Sequence, residues 1–381
     1  MNKKGNEQQK ITLFAPKGQF DISFFILVIV LLCIGLVMVF SASYVSAYFE
    51  HGNSYYYIKR QAVFAGIGLI AMLFISRLNY NILRIFAYPA YAVSIVLLVL
   101  VLFIGKGNFG EKRWLYIAGI NVQPSEIAKI AVIMTLALYI SLNYSKMKKL
   151  KTGFVIPGLI IALAAGLVII EPHLSGAVLI GGVGIVMLIM GGSNLKHLGV
   201  LSGLAATGFV GMITMTDYMQ SRIRIWMNPA SDARGKGFQT LQSLYAVGSG
   251  GPFGLGLGGS RQKYLYIPEP QNDFIFAIVC EELGFIGAML IILLFAALIY
   301  RGFVIAWNAP DKFGALLVSG IMTKIALQTV LNIAVVTNTI PVTGISLPFF
   351  SSGGTSLTIL MAEMGIVLSV SNYSRLNKGE G

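Results

Sequence analysis

The residues best equipped for chemistry gather in IPEPQNDFIFAIVCEELGF, positions 267–285. Asp273 stands where a loop punctuated by Pro268 and Pro270 enters an apolar helix. Glu281 and Glu282 follow two turns later among Phe274, Phe276, Ile278, Val279 and Phe285. Ionisable groups at membrane depth are costly, so by default they read as functional. The plainer reading is an N-cap, since Asn272 and Asp273 can both accept the free amides of a first helical turn. A cap does not require two further acids below it, so a functional acid at Asp273 is the reading preferred here.

Two other sets of charges lie inside apolar sequence. In Gln123-Pro124-Ser125-Glu126-Ile127-Ala128-Lys129, Ser125 is suited to cap a helix and Glu126 to sit favourably at its N-terminus. Lys129 follows three residues on, on the same face. An internal ion pair joining helices and a contact to substrate both fit Glu126 and Lys129. Lys324 lies mid-run in another apolar segment and must find a partner within the bundle. The three histidines are scattered, and no metal-ligand spacing or P-loop occurs.

These residues need apolar elements to position them, and the composition supplies little else. The chain has 381 residues, of which 56% are hydrophobic and 11% charged, with a mean hydropathy of +0.77. Soluble domains carry roughly 25% charged residues, so this chain belongs in a membrane. Apolar runs of roughly 17–25 residues mark ten spanning helices, at roughly 22–44, 61–76, 82–104, 125–142, 153–170, 174–191, 198–216, 274–300, 313–336 and 354–372. The expected architecture is an all-α polytopic membrane protein, with a tail at 1–20, one transmembrane domain at 21–373 and a short tail at 374–381. The first apolar run is too long for a cleaved signal and reads as an anchor that stays. Cys33 and Cys280 both lie in apolar runs, so no disulfide framework is expected.

Lys and Arg in the short loops set the orientation. Lys3, Lys4, Lys10 and Lys17, then Arg77, then Lys146, Lys148, Lys149 and Lys151, then Lys196, Lys312, Arg375 and Lys378 all fall on one side of a ten-span chain. Both termini are therefore expected in the cytoplasm. Two outer segments break this rule. One, at 105–125, carries Lys106, Lys112, Arg113 and Trp114. The other is a long extracytoplasmic loop at 218–273, before the eighth helix, carrying Arg222, Arg224, Arg234, Lys236, Arg261 and Lys263. Long loops cross membranes despite their charge, but Arg is also suited to bidentate phosphate contacts, and an anionic ligand on the outer face is preferred. In the long loop, Phe238, Leu241, Leu244, Tyr245 and Val247 fall near helical spacing, as in a helix lying at the interface. The glycines at 250–259 imitate a dinucleotide fingerprint without its βαβ context, and that reading is rejected. Residues 341–356 are non-helical sequence at membrane depth, which must be buried or line a wet cavity.

Four ordered segments carry a family resemblance: QPSEIAK (123–129), FQTLQSLYAVGSGGPFGLGLGGSRQKYLYIPEPQ (238–271), the acidic segment above, and PVTGISLPFFSSGGTSL (341–357). Together they resemble the SEDS family (shape, elongation, division and sporulation), and the FtsW and SpoVE branch more than RodA. The resemblance implies ten transmembrane helices in the bacterial cytoplasmic membrane. It implies a glycosyltransferase polymerising lipid II, the undecaprenyl-pyrophosphate-linked disaccharide peptide, and an inverting displacement. It also implies a class B penicillin-binding protein and other division or sporulation membrane proteins as partners, with no nucleic acid. The family's essential acid falls on Asp273, and its helix-four pair on Glu126 and Lys129. Arg113, Trp114, Arg222, Arg261, Lys263, Glu282, Lys324, Ser351, Gly353 and Gly354 complete the expected substrate-binding set. No cofactor is certain; a divalent cation, Mg or Mn, is the candidate. The chain departs from the family where relatives often have Pro-Asp-Leu-Gly and it has Pro172-His173-Leu174-Ser175. A milder departure is Ser351-Ser352-Gly353-Gly354. A lipid-linked precursor transporter, with membrane acids as proton relays, and a non-catalytic scaffold are the alternative functions.

Overall fold

The computed structural model describes residues 20–107, 113–117, 119–200, 203, 207–208, 211, 217–235, 237–264 and 266–374. Among them run α1 (Ile22–His51), α2 (Tyr56–Arg77), α3 (Ile82–Ile104), a two-strand hairpin of β1 (Leu115–Ile117) and β2 (Ile120–Val122), α4 (Pro124–Asn143), α5 (Ile156–Ile170) and α6 (Leu174–Met190). The chain continues through α7 (Asp217–Met227), α8 (Phe238–Ser249), α9 (Ile275–Trp307), α10 (Lys312–Val336) and α11 (Gly354–Ser371). Nine of the ten expected spans thus have helical counterparts among the described residues, in α1–α6 and α9–α11. The seventh, at 198–216, lies largely outside them, as do Lys112, Lys236 and both chain ends. Eight of the nine are long and apolar enough to cross a membrane, and α6 is shorter.

Burial sorts these helices into a centre and a periphery. In α4 and α10, 72% of the most apolar stretch is buried, against 22% in α2 and α3. The outer helices expose Ile70, Phe74, Val96 and Phe103, as side chains facing lipid should be. α4 and α10 pack against each other and both pack against α6, while α2 lies along α11 and α1 along α9. The site described below sits at the end of the α4, α6 and α10 group.

The expected long loop is folded. It contains α7, a short 3₁₀ turn at Pro229–Asp232, and α8. α8 matches the expected interfacial helix, but it packs on the bundle through Thr240, Ser243 and Ala246, and Ser243 donates to the Val336 carbonyl at 2.8 Å. Its apolar residues Phe238, Leu241 and Leu244 are half-buried and Tyr245 is exposed. α7 is fastened to the loop after α10: Arg222 donates to the Val342 carbonyl, and Trp226 Nε1 to the Asn338 carbonyl at 3.0 Å.

The glycine-rich stretch explains how α9 tolerates a break inside apolar surroundings. At Gly284 the backbone is left-handed, with φ 68° and ψ −170°, so intrahelical bonds are lost there. Loop 250–259 replaces them. Leu255 and Gly256 donate their N–H groups to the carbonyls of Glu281 and Glu282, at 2.9 and 3.0 Å. Phe285 and Ile286 donate theirs to Gly251 and Pro252, at 2.8 and 3.1 Å. Backbone groups without water must be paired by protein, and here two segments pair each other. The approach is so close that a Cβ on Gly284 would lie 2.2 Å from the Gly254 nitrogen, and one on Gly254 would lie 2.1 Å from the Glu282 oxygen.

The next residues of the loop satisfy the two acids. Ser260 Oγ and the Arg261 N–H donate to the Glu281 carboxylate, the latter at 2.9 Å. Glu282 accepts from Lys263 Nζ at 2.7 Å and from Ser41 Oγ of α1 at 2.6 Å. The Lys263 ammonium also lies over the Tyr44 ring, 4.8 Å from its centroid. One clasp therefore ties α1, α9 and the loop together.

Two stability predictions follow from the clasp. Gly284→Ala meets both left-handed backbone and a collision, and should lower stability in detergent by at least about 2 kcal/mol. Gly181→Ala in α6, where a Cβ meets nothing within 4 Å, should be neutral or stabilising by up to about 1 kcal/mol. Equal thermal shifts in the two would contradict the clasp. Lys263→Met strands the buried Glu282 and should cost about 3–5 kcal/mol, whereas Lys263→Met with Glu282→Met should recover much of that loss. A double variant no better than the single would remove the ion pair from the account.

Candidate active site

Residues from α2, α4, α6 and α10 and from the loops between them converge on a cavity of about 660 Å³. α4 contributes Glu126 and Lys129 from its first turns. Here the structure corrects an expectation: the cap position is Gln123, with no side-chain cap, and Pro124 opens the helix. Ser125 is inside the first turn, its Oγ 3.3 Å from His173 Nδ1. Pro suits that first position because its missing N–H would have had no partner. Lys129 Nζ lies 2.6 Å from Glu126 Oε1, an i,i+3 pair with both side chains almost wholly buried. Two opposite charges so close in a dry wall neutralise each other while remaining in reach of a ligand that competes for one of them.

Asp273 lines the same cavity and is half-buried. The cap position of α9 falls on Phe274, which has no side-chain cap bond, so Asp273 precedes the helix as part of the approach. Neutral polar side chains fix that approach. Asn332 of α10 donates to the carbonyls of Asp273 at 2.8 Å and Ile345 at 2.6 Å. Ser351 donates to the Asn272 carbonyl at 2.7 Å, and the Ser352 N–H to the Gln271 carbonyl at 2.8 Å. Gln61 of α2 donates to the Ser351 carbonyl at 3.2 Å and accepts from the Gly353 N–H at 3.3 Å. Segment 341–353 is non-helical, as expected, and lines the cavity at Gly344–Ser346 and Ser351–Gly353. At Gly344 (φ 70°) a Cβ would stand 3.3 Å from Asp273 Oδ2, so a side chain there would crowd the carboxylate.

Positive charge enters from the rim. Arg113 and Trp114 line the cavity, with Lys106 paired to Trp114 through two backbone hydrogen bonds of 2.8 and 3.1 Å. Arg113 also donates to the Pro172 carbonyl. Gly354 completes the expected residues that reach the cavity.

Five residues of the expected substrate-binding set do not line it. Lys263 and Glu282 are fully buried against each other in the clasp. Arg261 points outward and contributes its backbone to Glu281. Arg222 is bound to the Val342 carbonyl. Lys324 pairs with Glu363 of α11, as an ion inside the bundle must, and reaches only a separate void of about 20 Å³, the room of about one water. Lys263, Lys324 and Arg222 thus already have structural acceptors, and Glu282 is the acid that one of them serves. Conversely, Tyr57 and Arg60 of α2, Gln328 of α10, His173 and Ser175 at the start of α6, and Glu269 line the cavity without having been singled out as substrate contacts. The signal that could have found Gln61, Gln328 and Asn332 is an uncharged amide within an apolar run, where it needs partners as surely as a charge does.

Among the described residues, no three His, Cys, Asp or Glu side chains gather closely enough to hold a metal ion. A divalent cation in the cavity would therefore take its ligands largely from substrate oxygens and water, as Mg²⁺ commonly does.

The arrangement has relatives. The model of the cell cycle protein family of FtsW, RodA and SpoVE matches residues 21–376. Stage V sporulation protein E of Bacillus subtilis is 46% identical over 358 residues, spanning 93% of this chain and 98% of that one. A probable peptidoglycan glycosyltransferase FtsW of Trichlorobacter lovleyi is 40% identical, with 93% of each chain covered. Among solved structures, a chain of a peptidoglycan synthase complex that coordinates polymerization and crosslinking superposes with a TM-score of 0.77 at 29% identity. It covers 93% of this chain and 98% of that one. RodA, the rod shape determining protein of Thermus thermophilus, superposes with a TM-score of 0.70 at 27% identity and the same coverage. This chain, a polytopic protein of the cytoplasmic membrane, belongs to the FtsW, RodA and SpoVE family of cell cycle proteins.

Proposed function

We propose that the chain is a peptidoglycan glycosyltransferase that polymerises lipid II at the outer face of the membrane, for septum synthesis in division or sporulation. The observation that carries this reading is the meeting of Asp273 with the Glu126–Lys129 pair and the rim cations Arg60, Lys106 and Arg113 in one cavity. Relatives named as glycosyltransferases support it. In the proposed step, an acceptor sugar hydroxyl attacks the anomeric carbon of a second lipid-linked sugar. Asp273 takes the hydroxyl proton. The new glycosidic C–O bond forms as the anomeric C–O bond to pyrophosphate breaks, and the polyprenyl pyrophosphate leaves with that electron pair. A single displacement inverts the anomeric configuration. Charge grows on the leaving pyrophosphate, where Lys129 and the rim arginines stabilise it.

We further propose a class B penicillin-binding protein as partner. The solved synthase complex containing a similar chain supports this, and lipid II would be the shared currency of the two active sites. With Lys148 read as cytoplasmic from the basic short loops, Asp273 and the cavity face outward, toward the side where cross-linking would occur.

The decisive measurement is glycan-strand formation from lipid II by the folded protein with its partner. Asp273→Asn keeps size and hydrogen bonding but removes the basic carboxylate, and should lower polymerisation at least ~10²-fold. Full activity in this variant would end the general-base assignment, and lipid II translocation without polymer in the wild type would move the chain to the transporters.

The ion pair gives an independent test. Glu126→Lys with Lys129→Glu keeps two opposite charges three residues apart, so it should restore folding lost in either single reversal while leaving polymerisation at least ~10-fold down. Recovery of activity by the exchange would make the pair purely structural.

A further inference from the structure

The first turn of α6 opens on the cavity, and among the described residues nothing serves it. Ser175 and Gly176 line the cavity, and His173, at the cap position, makes no side-chain capping bond. The first N–H groups of a helix have no intrahelical acceptor. Ala177 reaches the His173 carbonyl at 3.3 Å, but among the described residues no acceptor meets the N–H groups of Leu174, Ser175 or Gly176. A second, independent observation points the same way. Ser175 Oγ is 1% exposed and has no hydrogen-bond partner. A hydroxyl left unpaired in a cavity wall costs free energy unless a ligand completes it. At Gly176 a Cβ would come within 2.8 Å of His173 Nδ1, so the absence of a side chain lets ring and helix start approach.

The charges around this turn favour an anion. Arg113 lines the cavity and donates to the carbonyl of Pro172, the residue before His173. The helix start contributes its own partial positive charge. His173 is held at Nδ1 by Ser125, whose hydroxyl can donate. Burial, with the Arg113 and Lys129 charges, pushes its pKa down to about 3, so the ring is neutral. In the tautomer in which Ser125 donates to Nδ1, the ring proton sits on Nε2 and the ring offers a donor; in the other, Nδ1–H donates to Ser125. Two acids stand near. Glu126 is paired with Lys129. Glu171 is wholly buried, and burial pushes its carboxyl up to about 8 against the opposing pull of Arg113, so at pH 7 it is neutral.

We propose that the N-terminus of α6, with Ser175, His173 and Arg113, is the subsite for pyrophosphate oxygens of the lipid-linked donor. This rests on the transferase reading and deepens it by assigning the leaving group a place. Lys129 stands one wall segment away, so the same oxygens that seat on α6 lie where the Glu126–Lys129 pair can open toward them.

The test measures binding of undecaprenyl pyrophosphate to the purified full chain in nanodiscs, with inorganic pyrophosphate as competitor and undecaprenol, which lacks phosphate, as control. Ser175→Ala removes one neutral donor and should weaken undecaprenyl pyrophosphate binding about 3-fold. His173→Asp places an anion at the helix start and should weaken it at least ~10-fold, with loss of competition by inorganic pyrophosphate. His173→Gln keeps an N–H donor and should stay within about 3-fold of wild type. Unchanged affinity in both Ser175→Ala and His173→Asp, at unchanged thermal midpoints, would overturn the subsite while leaving the transferase reading intact. An equal loss for undecaprenol would also overturn it, by placing the defect in the prenyl tail. Should His173→Asp weaken binding while Asp273→Asn polymerises normally, the subsite stands and the general-base assignment falls.

Discussion

The constraint on which this structure depends is that a helix broken inside a membrane must have its freed backbone groups paired. α9 breaks at Gly284, and loop 250–259 supplies the missing donors and acceptors at distances of 2.8 to 3.1 Å. Once the loop is docked, Ser260, Arg261 and Lys263 are delivered to Glu281 and Glu282, and Ser41 brings α1 into the same network. The residues that look most exotic in the sequence, paired acids and clustered glycines, are therefore two halves of one joint. Each half alone would be expensive: bare carboxylates in one case, bare amides in the other. Asp273 lies eight residues before Glu281, at the end of the segment that leaves the clasp. The clasp thus fixes one end of the approach to the cavity, and the Asn332 and Ser351 hydrogen bonds fix the other.

The cavity itself is positioned by neutral amides and hydroxyls. Gln61, Gln328 and Asn332 donate to carbonyls of segment 345–351, and Ser351 to the Asn272 carbonyl. A charge in these places would demand a counter-charge and a heavy desolvation cost, whereas an amide can satisfy two backbone groups without either. The charges that face the cavity include Glu126 and Lys129, paired with each other, and Arg113, which donates to the Pro172 carbonyl. Lys263, Lys324 and Arg222 show the opposite case, each bound to a structural acceptor and absent from the cavity wall. Charge is thus divided between groups buried inside the bundle and groups that line the cavity.

That division marks where the sequence could be read and where it could not. Helix positions came directly from apolar run length, because a membrane sets that length, and nine expected spans have their helices. The Glu126–Lys129 contact followed from helical spacing, and the buried partner of Lys324 from the cost of a lone ion, although its identity as Glu363 did not. Asp273 was legible through its place at the mouth of a helix. The sorting of Arg261, Lys263 and Glu282 out of the cavity was not, since nothing local in the loop announces that it folds back over Gly284. That contact joins residues about thirty positions apart through backbone atoms, which carry no side-chain signature. The capping assignments failed for a related reason. Ser125 is a good cap by type, but Pro124 starts α4 one residue earlier, leaving Ser125 inside the first turn beside His173; the cap alternative for Asp273 falls too, since Phe274 holds the cap position of α9.

His173 shows how a departure from a family pattern becomes interpretable only with neighbours around it. By sequence it is one imidazole between Pro172 and Leu174, with no partner in view. In the structure it stands between Ser125 and the open turn of α6, beside Arg113 and the neutral Glu171. An acid in that position would be favoured by the helix start and would itself take up the positive charge that a neutral side chain leaves for a ligand. A neutral donor leaves the wall slightly positive, balanced by an ion pair that can part. The proposed roles then separate by location: a proton acceptor at Asp273, on the approach to α9, and an anion subsite at the starts of α4 and α6. On this proposal, the acceptor of a proton and the donors to an anion stand on different elements of one wall, so neither has to displace the other to reach a ligand in the cavity.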